Sequence, residues 1–225
     1  IGHITKMLAV KTGEHGNITA ADISDNMIHY AQKNSRQKNI TYTKADINNL
    51  KFSDNSFDWI WCMDTAWAGS AKYGCPSENP DPMLSELIRV LRPEGKLYLS
   101  FWSSQKLLPG YPMLEAKLFS SEAANAPYSI YCKAETHFLN YRGRLLSAGF
   151  RNTDIHTFSE NIQAPLSEND KKAMTLFFDM FWSEAHKELE EEYLKMFNRI
   201  CNPASEDFIL NHPHYYGFYT YTLYT

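Results

Sequence analysis

Gly16-Asn17-Ile18-Thr19-Ala20-Ala21-Asp22-Ile23-Ser24-Asp25-Asn26-Met27 is the segment from which the architecture can be inferred. Ile18 to Ala21 has the apolar, β-forming character of a short buried strand, and it runs straight into Asp22. Ser24 is a good N-cap, and Met27, Ile28 and Ala31 then recur at helical spacing. A carboxylate at the tip of a strand that feeds a helix is placed to hold the two hydroxyls of a ribose. A second acidic turn, Ala45-Asp46-Ile47, follows the next strand, Ile40 to Lys44. Together the two turns suggest a pocket for an adenosine-containing cofactor, and so an enzyme rather than a scaffold.

On either side of that segment, strand and helix alternate. A helix over His3 to Lys11, ended by Thr12-Gly13, presents Ile4, Met7 and Leu8 on one face. Phe57 to Met63 is apolar on both faces, as an interior parallel strand should be. Pro82 suits the first turn of a helix whose Met83, Leu84, Leu87, Ile88 and Leu91 form one stripe. Pro93-Glu94-Gly95 reads as a stop and turn before a strand over Lys96 to Trp102. This alternation calls for parallel pairing with right-handed crossovers, a doubly wound α/β sheet.

Beyond Trp102 the pattern loosens. Helices are expected over Met113 to Ala124 and His137 to Ala148, then a strand over Phe150 to Phe158. Ser167 with Asp170 resembles a capping box and opens a helical region over Lys171 to Ile200, broken near Ala185-His186. Tyr215 to Tyr224 reads as the last strand. The insertion of about forty-five residues before it is longer than ordinary loops and suggests a lid or cap.

Bulk properties narrow the partners. The net charge is −4 and the pI about 6.1, and no basic run occurs, which argues against nucleic acid. No apolar stretch approaches the roughly 18 to 20 residues that span a bilayer, and no membrane partner is expected. Cys62, Cys75, Cys132 and Cys201 form no CxxC pair, which fits a reduced, cytoplasmic protein. His212-Pro213-His214 lacks a third ligand at useful spacing, so no metal is expected. Glu188 and Glu190 to Glu192 read as a solvated helix face. Phe177, Phe178, Phe181 and Trp182 read as core or the underside of the cap.

Five pieces in order resemble the class I S-adenosylmethionine-dependent methyltransferases, the seven-stranded Rossmann-like group that acts largely on small molecules. They are Gly2-His3-Ile4-Thr5 leading into a helix; AADIS, 20 to 24; KADI, 44 to 47; FDWIWCMD, 57 to 64; and ELIRVLRPEGKLYLSFW, 86 to 102. SAGF, 147 to 150, matches more loosely, and Glu94 stands where the family often has Gly. The resemblance implies a mostly parallel sheet of the seven-stranded type whose first strand is absent from this sequence. It also implies one domain over 1–225, with variable insertions at 103–135 and 160–214 forming a substrate cap. Gly2 would be the last glycine of the family's glycine-rich loop, so residues upstream of Ile1 are expected.

The resemblance further implies S-adenosyl-L-methionine as cofactor, held by Gly2, Asp22, Ile23, Met27, Asp46, Ile47, Cys62 and Met63. Asp22 would take the ribose hydroxyls, Ile23 the adenine face, Asp46 the adenine amino group and the Ile47 backbone the ring edge. Cys62 and Met63 would offer a backbone carbonyl to the cofactor's amino group. The reaction implied is in-line methyl transfer to a small-molecule acceptor. Asp64, Trp67, Tyr73, Trp102 and Tyr111 are candidates for the acceptor pocket. A general base is needed only if the acceptor must lose a proton. Asp64 and His3 are the nearest groups to that space, although no catalytic residue is assigned. Two other readings stay open: another nucleoside-cofactor enzyme on a Rossmann-like fold, and a non-catalytic or protein-binding member of the methyltransferase fold.

Overall fold

The computed structural model describes residues 2–66, 68, 69, 71, 75–121, 124 and 140–225. Two pocket candidates, Trp67 and Tyr73, lie outside the described residues, as do Cys132 and residues 137–139 of the expected helix. The chain divides into two units: Ile1–Asp58 with Asp81–Gly95, and Trp59–Pro80 with Lys96–Thr225.

In the first unit, α1 (His3–Thr12), β1 (Ile18–Asp22), α2 (Asp25–Lys33) and β2 (Ile40–Lys44) follow one another, and α3 (Asp81–Val90) belongs with them. β1 and β2 pair in parallel, with Ile18 opposite Ile40 and Asp22 opposite Lys44. α2 starts where the sequence says it should. Ser24 accepts a hydrogen bond from the Met27 amide at 3.4 Å, satisfying one orphan donor of the first turn. Asp25 in that turn and Lys33 in the last one complement the helix dipole. α3 buries Met83, Leu84 and Leu87 of the expected stripe, together with Val90, while Ile88 is half-buried and Leu91 falls beyond the helix. Its Arg89 is a clamp: it donates to Glu86 at 2.8 Å, to Asp54 at 2.7 Å, and to the carbonyls of Leu50 and Phe52, each at 2.8 Å. Glu86 in turn accepts the Leu50 amide at 2.6 Å, so the 50–54 turn is fastened to the helix by charge-assisted bonds.

The second unit carries a four-stranded sheet in the order β3-β4-β6-β5. Its strands are β3 (Phe57–Met63), β4 (Leu91–Lys106), β5 (Ile155–Gln163) and β6 (Tyr216–Tyr224), β3 and β4 each entering from the first unit. β4 and β5 both run antiparallel to β6, so they share one direction and β6 alone is reversed against them. Helices α4 (Pro112–Ser120), α5 (Tyr141–Ala148), α6 (Glu168–Trp182) and α7 (Glu191–Ile200) complete it. The fold is α/β, with six strands among the described residues. No described helix is long and apolar enough to cross a membrane.

Several expectations change. Pro93-Glu94-Gly95 does not end one element and start another: β4 runs through it, with Glu94 at φ 66°, the left-handed conformation for which Gly is the unstrained choice. β5 begins at Ile155 rather than Phe150 because its partner β6 ends at Tyr224, which faces Ile155. α4 stops at Ser120, short of Ala124. β3 stands at one end of its sheet's strand order rather than inside it, and only Cys62 of its side chains is fully buried. Met7 of α1 points to solvent, leaving Ala9 as that helix's buried residue. The capping box is as read: the Ser167 hydroxyl accepts the Asp170 amide at 3.2 Å while Asp170 accepts the Ser167 amide at 3.1 Å. A short 3-10 turn at Ala185–Glu188 makes the expected break.

Candidate functional site

Two places collect the expected site residues, one in each unit. In the first unit, Asp22 and Asp46 leave the same end of the β1–β2 pair. The Ala45 amide donates to the Asp22 carbonyl at 3.0 Å, so the two turns start side by side. Each carboxylate is held by its own turn. Asp22 Oδ1 accepts the Ser24 amide at 2.9 Å, and Asp46 Oδ1 accepts the Asn48 amide at 2.9 Å and its Nδ2 at 3.0 Å. Both acids are exposed, and so are the apolar side chains beside Asp22: Ile23 is 65% and Met27 44% accessible. Ile47 is half-buried. Gly2, before α1, has φ 76°, and a Cβ there would come within 3.3 Å of the Ala31 Cβ. The positive φ favours glycine there, and a Cβ would also be tight against Ala31. Exposed apolar side chains between acceptor oxygens match the chemistry of a nucleoside, which has flat apolar faces and a rim of donors.

In the second unit, Cys62 and Met63 end β3, and Asp64 follows at φ 47°. Burial pushes the Cys62 thiol up to about 12, so it is a packed apolar side chain and not a nucleophile. Asp64 is fixed to the sheet: it accepts the Trp102 amide at 2.8 Å, and its own amide donates to the Ser100 carbonyl at 2.9 Å. Burial, and then the charge and hydrogen bond of Asp64, raise the Tyr221 phenol well above its ordinary pKa. Tyr221 is thus a permanent donor at neutral pH. Its neighbour Tyr219 is raised by burial and by Glu160.

Trp102 is the hub of this face. Its indole stacks on Tyr219 with centroids 4.6 Å apart and 19° between planes, and meets Tyr221 edge-on at 5.4 Å. Phe177 and Phe181 of α6 each lie 5.1 Å from it. The ladder explains the grouping. Trp102 faces Tyr221, an extra residue bulges before Ser104, and Gln105 then faces Tyr219, so Trp102 and Gln105 share a side. Among the described residues, neither the Trp102 Nε1–H nor either end of the Gln105 amide has a partner, and all three atoms are shut off from solvent. Each group left so costs about 1–3 kcal/mol.

A methyltransferase domain family model matches residues 1–99 of the chain. Residues 1–99 are therefore similar to a methyltransferase domain. It is 31% identical over 110 residues to the ubiquinone/menaquinone biosynthesis C-methyltransferase UbiE of Shewanella piezotolerans, an alignment covering 47% of this chain and 40% of that one. The UbiE of Shewanella woodyi is 26% identical over 181 residues, covering 72% of this chain and 68% of that one. The first alignment thus spans well under two thirds of the relative's length. The YcgJ protein of Bacillus subtilis shares the fold at a TM-score of 0.50 and 15% identity, covering 99% of this chain and 97% of that one.

The match ends near the middle of β4, and the segment beyond it carries its own core. Leu107, Leu108, Leu114 and Leu118 pack with Met174, Phe178, Trp182, Ile200 and Tyr215 into one core. The buried Glu115 ties its end to the sheet, accepting the Leu107 amide at 2.5 Å and pairing with Lys106 at 2.9 Å. Tyr111 packs against this core. The aromatic stripe divides at helical spacing: Phe178 and Trp182 are buried in the core, while Phe177 and Phe181 pack at its edge and cover Trp102. Sequence reasoning missed Tyr219, Tyr221 and Gln105. The signal for the tyrosines was available, since they alternate along a strand that must pair somewhere. Gln105 carried none, because only the bulge turns it to the face of Trp102.

Proposed function

We propose that this chain transfers a methyl group from S-adenosyl-L-methionine to a small-molecule acceptor, with residues 1–225 acting as one functional domain. The cofactor supplies a sulfonium whose methyl is already strongly electrophilic. The protein's task is then to hold the two reactants in line and keep water out. Asp22 forks to the ribose hydroxyls, Ile23 and Met27 cover the adenine, and Asp46 and the Ile47 backbone read its rim. The single observation that carries this reading is the pair of exposed carboxylates at adjacent parallel strand ends, with an exposed Ile23 beside the first. Segments 103–135 and 160–214 shape the acceptor site in this reading. It is supported by the common core of their described parts. A cytoplasmic setting belongs to the same proposal and rests on the widely spaced cysteines.

Chemistry at the acceptor asks for little from side chains. Asp64 is committed to the Trp102 amide and the Tyr221 hydroxyl, which suits positioning better than proton abstraction. Calorimetric titration with S-adenosylhomocysteine tests the proposal. Saturable heat is expected, weakened about a hundredfold by Asp22→Ala through loss of two charge-assisted bonds. Absence of heat at millimolar ligand contradicts it.

A further inference from the structure

We propose that Trp102 and Gln105 form a polar subsite that reads a neutral hydroxyl on an aromatic ring. As an acceptor subsite it rests on the methyl-transfer reading; as a binding site it does not. The starting point is the unmet hydrogen-bonding demand on one face of the four-stranded sheet. Buried polar groups are nearly always paired, so three orphaned atoms on neighbouring residues ask for an explanation. They are one indole N–H, one amide NH₂ and one amide carbonyl, that is, donors and an acceptor together.

The surroundings select the occupant. The walls are flat: Trp102 stacks on Tyr219, and Phe177 lies nearly parallel to Phe181, 11° apart, across 6.2 Å. Planar rings pack well in such company. An ammonium group has no lone pair for the indole N–H and leaves it unpaired. A carboxylate cannot donate to the Gln105 carbonyl, and it would share the face with Asp64 beside Tyr221 and Glu160 beside Tyr219. A neutral ring hydroxyl accepts from Trp102 or the amide NH₂ and donates to the amide carbonyl, so it meets both demands. Entry requires Phe177 and Phe181, which pack only at the edge of the core, to withdraw from Trp102, while Met174, Phe178 and Trp182 keep α6 anchored.

Hydroquinone and toluene serve as probes, with and without the hydroxyl. Indole N–H resonances of the five tryptophans are followed in the full chain by proton–nitrogen correlation, the Trp102 signal being assigned by Trp102→Phe. Hydroquinone is expected to shift the Trp102 signal saturably, and Gln105→Leu to weaken that affinity by about tenfold or more while leaving any toluene response unchanged. Unperturbed signals from the other indoles show that the variant is folded. Equal responses to the two probes, or a hydroquinone affinity untouched by Gln105→Leu, overturn the subsite. So does a variant that only gains thermal stability, since the orphans then have no ligand. Heat with S-adenosylhomocysteine is measured on the same samples, so failure of the cofactor reading and failure of the subsite are told apart.

Discussion

The β1–β2 strand ends and the Trp102 face solve opposite problems. At the strand ends, Asp22 and Asp46 are exposed, and each carboxylate accepts hydrogen bonds from its own turn. At the Trp102 face, four rings from β6 and α6 surround one indole, phenol pKa values are raised, and polar atoms are sealed in. The first surface is made by chain neighbours a few residues apart. The second is made by residues more than a hundred positions apart in sequence, such as Trp102 and Tyr221. A surface set by local turns can be inherited as short motifs, whereas one set by long-range packing is free to vary. The strand ends lie inside the stretch that the family model matches, residues 1–99, and the β6 and α6 rings lie outside it.

Several measurements probe whether the two surfaces are as independent as this implies. The greatest change is expected from Trp182→Ala. Removing the most voluminous fully buried side chain of the α6 core should cost about 3–5 kcal/mol in urea unfolding, while S-adenosylhomocysteine affinity changes less than about threefold. A large loss of affinity would show that the strand ends depend on that core. Next comes Asp22→Asn, which keeps an acceptor for the Ser24 amide but removes the charge. It should weaken S-adenosylhomocysteine about tenfold with no change in melting temperature. Tyr221→Phe removes the bond to Asp64 and should destabilise the protein by about 1 kcal/mol, leaving cofactor affinity alone.

Smaller still is a pH effect in the first unit. Arg89 and the Leu50 amide hold the Glu86 carboxyl below its ordinary value of 4.5. A depressed carboxylate adds stability that is fully present above the unfolded pKa and is lost as pH falls through the folded one. Wild type should therefore lose slightly more stability than Glu86→Gln as pH drops below 4.5, by less than about 1 kcal/mol given partial solvent screening. Iodoacetamide provides a control in the second unit. With its thiol at about 12, folded Cys62 should resist alkylation at neutral pH and react only after unfolding.

Legibility followed the same division. Ser24, Asp22 and the strand over Ile40 to Lys44 were readable because a cap, a tip and a short apolar run are local signals. The Ser167–Asp170 box was readable for the same reason. β5 was displaced by several residues because its limits are set by pairing with β6, which its own residues do not encode. Glu94 was readable as a turn residue but not as a left-handed residue inside a strand. The split of Phe177 and Phe181 from Phe178 and Trp182 was invisible, since an aromatic stripe does not say which surface meets each side.

A crystal structure with S-adenosylhomocysteine bound puts the role of the paired strand ends to its hardest test. Both ribose hydroxyls should lie about 2.6–2.9 Å from the Asp22 carboxylate, with the adenine beside Ile23 and its amino group toward Asp46. Ligand density elsewhere, or an Asp22 that touches only its own Ser24 turn when the ligand is present, would refute that role.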